Sequence, residues 1–137
     1  MILILDASAA VEIVLQRPNS QRLFRNIEEA EWILAPALFV AEVTNVFWKY
    51  FRFGNLSMEQ CEKAVSVALN LPDEFSDDKT LYKEAFALGC QIGKPIYDMF
   101  YLILARRNNG LLMTLDKGLA EAAAKHSVRV LPGGSNP

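Results

Sequence analysis

The chain has 137 residues, 52% of them apolar, which suits one ordinary domain with a real core and excludes a disordered polypeptide. Its net charge of −2 argues mildly against broad, unspecific nucleic-acid binding, although it says little about local patches. Two cysteines, Cys61 and Cys90, exclude a disulfide framework or a four-ligand zinc site and read as small core residues of a reduced compartment.

Ile2 to Leu5 is an apolar run rich in strand formers. It is too short for a signal peptide, and no apolar run reaches membrane-spanning length, so a cytoplasmic protein without a membrane partner is expected. Asp6-Ala-Ser8 follows, then a helical pattern through Leu15. Ser20 can cap a helix running to about Glu31. Trp32 to Ala35 reads as a second strand, closed by Pro36, and a long helix then runs from about Ala37 to Arg52, ended by Gly54-Asn55. Ser57 and Gln60 form a capping-box pattern for the next helix, which Pro72 ends.

Phe75 fits a short edge strand, although the acids of Asp73-Glu-Phe-Ser-Asp-Asp78 exceed what a regular strand carries. Asp78 or Thr80 opens a helix through Gln91. Gly93-Lys-Pro95 breaks the chain ahead of a helix from Ile96 to Arg107. After the Asn109-Gly110 turn come a strand (Leu111 to Leu115), a helix (Lys117 to Lys125) and a last strand (Val128 to Leu131). Residues 1–131 read as a single domain and 132–137 as a flexible tail. Apolar strands separated by helices predict a three-layer α/β/α sandwich around a mainly parallel sheet of four to five strands. Ligands of such sheets bind beyond the carboxyl ends of the strands. Asp6 and Asp116, each closing a strand, belong to that rim.

Asp6, Glu42, Asp98 and Asp116 each lie beside or within an apolar segment. Each has a plain structural role open to it: Asp6 and Asp116 as N-caps, Asp98 as a charge in a helix's first turn. Glu42 is harder to explain this way, because its helix is apolar on most sides and Asn45, three positions on, shares its face. Carboxylates beside a core need pairing, protonation or a metal. Hard cations prefer carboxylate oxygens, so a divalent ion such as Mg²⁺ is the simplest remedy for four such acids brought together. The one histidine, His126, is far from most of these segments, which argues against metal-free cleavage by paired histidines.

Ile4-Leu-Asp6-Ala-Ser8, Glu42-Val-Thr-Asn45, Ile96-Tyr-Asp98 with its apolar helix, and Thr114-Leu-Asp116 together resemble, in order and spacing, the acidic motifs of PIN domains over nearly the whole chain. A chain this short is most similar to VapC-type toxins. The resemblance implies an endoribonuclease dependent on Mg²⁺ or Mn²⁺, with Asp6, Glu42, Asp98 and Asp116 around the metal. Ser8, Asn45 and Thr114 would be supporting residues, orienting waters or carboxylates. It also implies a homodimer and inhibition by a cognate antitoxin. Lys49, Arg52, Arg106 and Arg107 are candidates for RNA contact. The aromatic stretch Phe47 to Phe53 carries more large rings than one buried face requires, so part of it is expected to meet a second copy or an antitoxin peptide.

The alternative is a catalytically inactive PIN-like module that binds RNA or protein. A phosphoacceptor receiver domain lacks its acidic pair beside Asp6, and a haloacid-dehalogenase-type phosphatase would want an aspartate where Ser8 stands.

Overall fold

The computed structural model describes residues 1–131, and the tail expected over 132–137 lies outside them. The elements run β1 (Ile2–Leu5), α1 (Ala7–Val14), α2 (Ser20–Glu29), β2 (Trp32–Pro36), α3 (Leu38–Phe53), α4 (Met58–Leu69) and β3 (Glu74–Ser76). There follow a 3-10 turn (Asp78–Thr80), α5 (Tyr82–Ile92), α6 (Ile96–Arg107), β4 (Leu111–Met113), α7 (Lys117–Lys125) and β5 (Arg129–Leu131). Every strand pairing is parallel, in the order β3-β2-β1-β4-β5. Helical crossovers to β2 and β3 on one side of β1, and to β4 and β5 on the other, put helices on both faces. Helices α1 to α4 pack among themselves, α5 and α7 pack on α6, and α6 lies across β1, β2 and β4.

The central strands are apolar because both their faces are covered. Leu3, Ile4, Leu5 and Leu112 are wholly buried, with Leu102 and Ile103 of α6 against them. The order reverses direction between β1 and β4, and that switch point is where an open parallel sheet leaves a crevice beyond its strand ends. Asp6 N donates to Met113 O at 3.2 Å there, tying the two exits together.

The acidic edge strand forms after all, pairing Leu34 with Glu74 and Pro36 with Ser76. Its acids have separate tasks: Asp73 Oδ2 accepts from Ile33 N at 2.8 Å, Glu74 Oε1 from the Trp32 indole at 3.1 Å, and Asp77 Oδ1 from Lys79 N at 2.9 Å. Charges on an edge strand also discourage pairing with another chain. The capping box of α4 is present, with Gln60 N on Ser57 Oγ at 3.0 Å and Ser57 N on Gln60 Oε1 at 2.8 Å.

Several local expectations are corrected. Ser20 does not cap α2 but is its first residue. The preceding Asn19 is held by Glu12, whose Oε2 accepts from Asn19 N at 3.0 Å and from Nδ2 at 3.1 Å. The same helix ends at Glu29, because Glu31 N is taken by Met1 O at 2.9 Å as the chain turns into β2. β4 stops at Met113 rather than Leu115, so Thr114 to Asp116 form the loop into α7. Cys61 is buried as expected, but Cys90 is exposed, facing away from the Ala85, Leu88 and Gly89 side of α5.

Candidate active site

Asp6 follows β1 directly and caps α1, its Oδ1 accepting from Ala9 N at 3.0 Å. Ser8 Oγ donates to the same oxygen at 2.7 Å, and the Thr114 hydroxyl donates to Oδ2. Ser8 Oγ also accepts from Leu115 N at 3.0 Å, and Thr114 Oγ1 accepts from Asp116 N at 3.0 Å. Two hydroxyls thus fasten the β1 exit to the β4 exit. Asp116 caps α7 through Leu119 N at 3.0 Å and is itself exposed. The capping roles of both aspartates are therefore real.

Glu42 lies in the second turn of α3, half-buried, and its Oε1 accepts from the Tyr101 hydroxyl at 2.6 Å. Tyr101 is 2% exposed, so its ring belongs to the core while its oxygen reaches the crevice. Asn45, expected to pair with Glu42, instead lies exposed in a shallow depression with Ala41, Thr44 and Trp48. Asp98 is half-buried in the first turn of α6, one turn before Tyr101.

The charges of these acids reach one another in pairs. Burial pushes the Asp6 carboxyl up to about 6, against the hydrogen bonds from Thr114, Ala9 and Ser8, and the Asp116 charge pushes the same way. Burial also raises Glu42 against the Tyr101 hydrogen bond, with added repulsion from Asp6, Asp98 and Asp78. Burial raises Asp98, the Asp116 charge adds to it, and the Lys94 ammonium opposes it. Burial and then the neighbouring Glu42 drive the Tyr101 phenol far up, so its proton stays on the hydrogen bond.

Three contributors were not assigned to the site from sequence. Asp78 accepts from Leu38 N at 3.3 Å, capping α3 from across the fold, and its charge reaches Glu42 and Tyr101. Its signal was the acidic run after β3. Tyr101 sits three residues after Asp98 on one helix face, which is the available sequence clue. Lys94 lies in the break before α6.

Among the described residues, ion pairs are formed by the N-terminus with Glu31 and by Arg106 and Arg107 with Glu84. None involves the acids of the crevice. Several carboxylates without a paired base form an oxygen donor set of the kind that Mg²⁺ and Mn²⁺ take, so the residues fit such an ion in type and charge. No three acid, histidine or cysteine side chains among the described residues are grouped to grip one ion in the geometry seen. An ion would draw side chains inward or reach some of them through water.

The PIN domain family profile matches residues 3–125. The chain belongs to the PIN-domain family. It is 32% identical over 126 residues to Ribonuclease VapC3 from Pyrobaculum aerophilum, across 88% of this chain and 94% of that protein. In fold it is similar to the crystal structure of PAE2754 from Pyrobaculum aerophilum, with TM-score 0.75 and 20% identity, covering 95% of this chain and 83% of that one. It is also similar to VapBC2 from Rickettsia felis bound to a DNA fragment from their promoter, with TM-score 0.68 and 16% identity, covering 96% and 98%.

In this PIN domain the four basic candidates for RNA contact are not gathered at the acids. Arg106 and Arg107 pair with Glu84 roughly 12 Å along α6 from Asp98. Lys49 and Arg52 are exposed, Arg52 lying over the Phe53 ring, and are two to three turns beyond Glu42 on α3. The aromatic stretch divides: Phe47 is wholly buried, whereas Trp48, Phe51 and Phe53 are exposed. Among the described residues, no helix is long and apolar enough to cross a membrane.

Proposed function

We propose that this PIN domain is an endoribonuclease hydrolysing RNA phosphodiester bonds with Mg²⁺ or Mn²⁺, and the toxin of a type II toxin–antitoxin pair. The carrying observation is that Asp6, Glu42, Asp98 and Asp116, from four separate segments, feel one another's charge near the sheet's switch point, and that no ion pair among the described residues neutralises them. Membership of the family supports a nuclease, and the likeness to a VapC ribonuclease supports RNA as the substrate.

The four acids would hold the ion. When bound, such an ion supplies positive charge against the charge that develops on the phosphate and leaving oxygens. The chain's own residues do the positioning. Ser8, Ala9 and Thr114 fix Asp6 in one orientation. Tyr101 holds one oxygen of Glu42 and leaves the other free to turn to the crevice. Asp116, exposed at the start of α7, would be within reach of the incoming RNA backbone. Such outer partners of ligands set their aim as much as the ligands themselves.

A second copy of the chain or an antitoxin segment would cover Trp48, Phe51 and Phe53, and the cytoplasm is where RNA and reduced Cys61 and Cys90 would meet. Sedimentation of the pure protein as a monomer would remove the homodimer. The main test is cleavage of an RNA panel by antitoxin-free protein, with and without EDTA, beside Asp6→Asn. Cutting that needs Mg²⁺ or Mn²⁺ and vanishes in Asp6→Asn supports the enzyme. Absence of turnover in the wild type with either ion would favour a binding module.

A further inference from the structure

An RNA backbone carries its own negative charge into a crevice already crowded with carboxylates. A nuclease of this kind needs a cation at the rim that is not already paired. The four arginines and lysines singled out from sequence do not supply it, because they lie away from the acids or are bound to Glu84.

Lys94 is differently placed. It lies in the short break between α5 and α6, where Gly93 adopts φ +69° to turn the chain. Lys94 N donates to Gly89 O at 3.2 Å, and Lys94 O lies 3.1 Å from where a Cβ on Gly89 would stand. A bare glycine at 89 therefore lets this loop lie against α5, and the backbone of Lys94 is pinned. At the other end, Lys94 Nζ lies 3.8 Å from the point that a Cβ on Gly118 would occupy, and Asp116 Oδ1 lies 3.3 Å from the same point. The ammonium and the Asp116 carboxylate thus flank Gly118, where the start of α7 carries no side chain. Its charge is felt at Asp98, yet no ion pair involving it is formed within 4.0 Å among the described residues.

We infer that Lys94 binds a phosphate of the RNA backbone at the rim of the acidic crevice, beside Asp98 and Asp116, and sets where the strand lies. This rests on the ribonuclease reading above. An ammonium is a compact point charge suited to phosphate oxygens. With its backbone pinned to α5, it gives the strand a fixed point beside the carboxylates that would hold the ion.

The test is fluorescence anisotropy of a labelled single-stranded RNA oligonucleotide across a KCl series with Mg²⁺. Asp6→Asn protein prevents cleavage, and Lys94 is compared with Lys94→Gln and Lys94→Arg. Loss of one phosphate contact by Lys94→Gln lowers the slope of log affinity against log salt by about 0.7 for a single strand, and Lys94→Arg restores it. In otherwise wild-type protein, Lys94→Gln raises KM several-fold and holds kcat within about twofold, with an unchanged melting temperature.

An unchanged salt slope would overturn the inference. So would tighter Mn²⁺ binding by Lys94→Gln with the slope intact, which would make Lys94 only a counter-ion to Asp98 and Asp116. If Lys94-containing protein neither binds RNA here nor cuts it as wild type, the ribonuclease reading itself fails, which is a distinct result.

Discussion

Asp6→Asn should make the ion-free protein more stable at neutral pH. Raising a carboxyl from its ordinary 3.8 to about 6 corresponds to about 3 kcal/mol by which the native state disfavours the charged form. Asp6 is 5% exposed, so solvent screens little of this. Because its folded pKa lies above its unfolded value, the native state keeps a proton that the unfolded chain releases. Stability therefore falls as pH rises from about 4 to about 6 and stays low above that.

Asparagine fills the same volume, can still accept from Ala9 N as an N-cap, and carries no charge. Urea unfolding followed by circular dichroism in EDTA, from pH 4 to 7, should show Asp6→Asn overtaking the wild type by up to about 3 kcal/mol at the neutral end. Added Mn²⁺ should reverse the order, since an ion at a thousand times its dissociation constant stabilises by about 4.1 kcal/mol only the chain that binds it. Parallel stability curves for the two proteins between pH 4 and 7 would refute the buried, unpaired state of Asp6.

Tyr101→Phe keeps the ring in the core and removes the donor to Glu42, so Mn²⁺ affinity by calorimetry should fall about 10- to 100-fold, and an unchanged affinity would detach Tyr101 from the site. Thr114→Val strips a hydroxyl that donates to Asp6 and accepts from Asp116 N, which should cost about 1–3 kcal/mol in chemical denaturation. Arg106→Ala with Arg107→Ala should leave RNA cleavage within about twofold, because an exposed pairing with Glu84 contributes little. A large loss of cleavage would return those arginines to the substrate path.

Much of the fold could be read directly from the chain because its signals are local. Parallel strands buried on both faces must be apolar runs, and β1, β2 and β4 are. Ser57 and Gln60 lie within one turn of each other, so their capping box is visible as spacing. Asp6 and Asp116 were legible as rim residues because each follows a strand directly or closely. Partners distant along the chain were not legible. Tyr101 reads as one more core aromatic until its hydroxyl is found on Glu42, 59 residues away. Asp78 looks like part of a solvated acidic run, yet it caps α3 across 40 residues. Glu12 displaces the expected cap of α2 for the same reason, since nothing in the spacing of Ser20 shows a carboxylate arriving from α1. Lys94 sits in a glycine-proline break that reads only as punctuation.

The most direct measurement is an anomalous difference map from crystals of the protein soaked in Mn²⁺. A peak in the crevice bounded by Asp6, Glu42, Asp98 and Asp116, lost in crystals of Asp6→Asn, is the expected result. Manganese found only elsewhere on the molecule, with those four carboxylates unchanged in position, would contradict the claim that they act together on one ion.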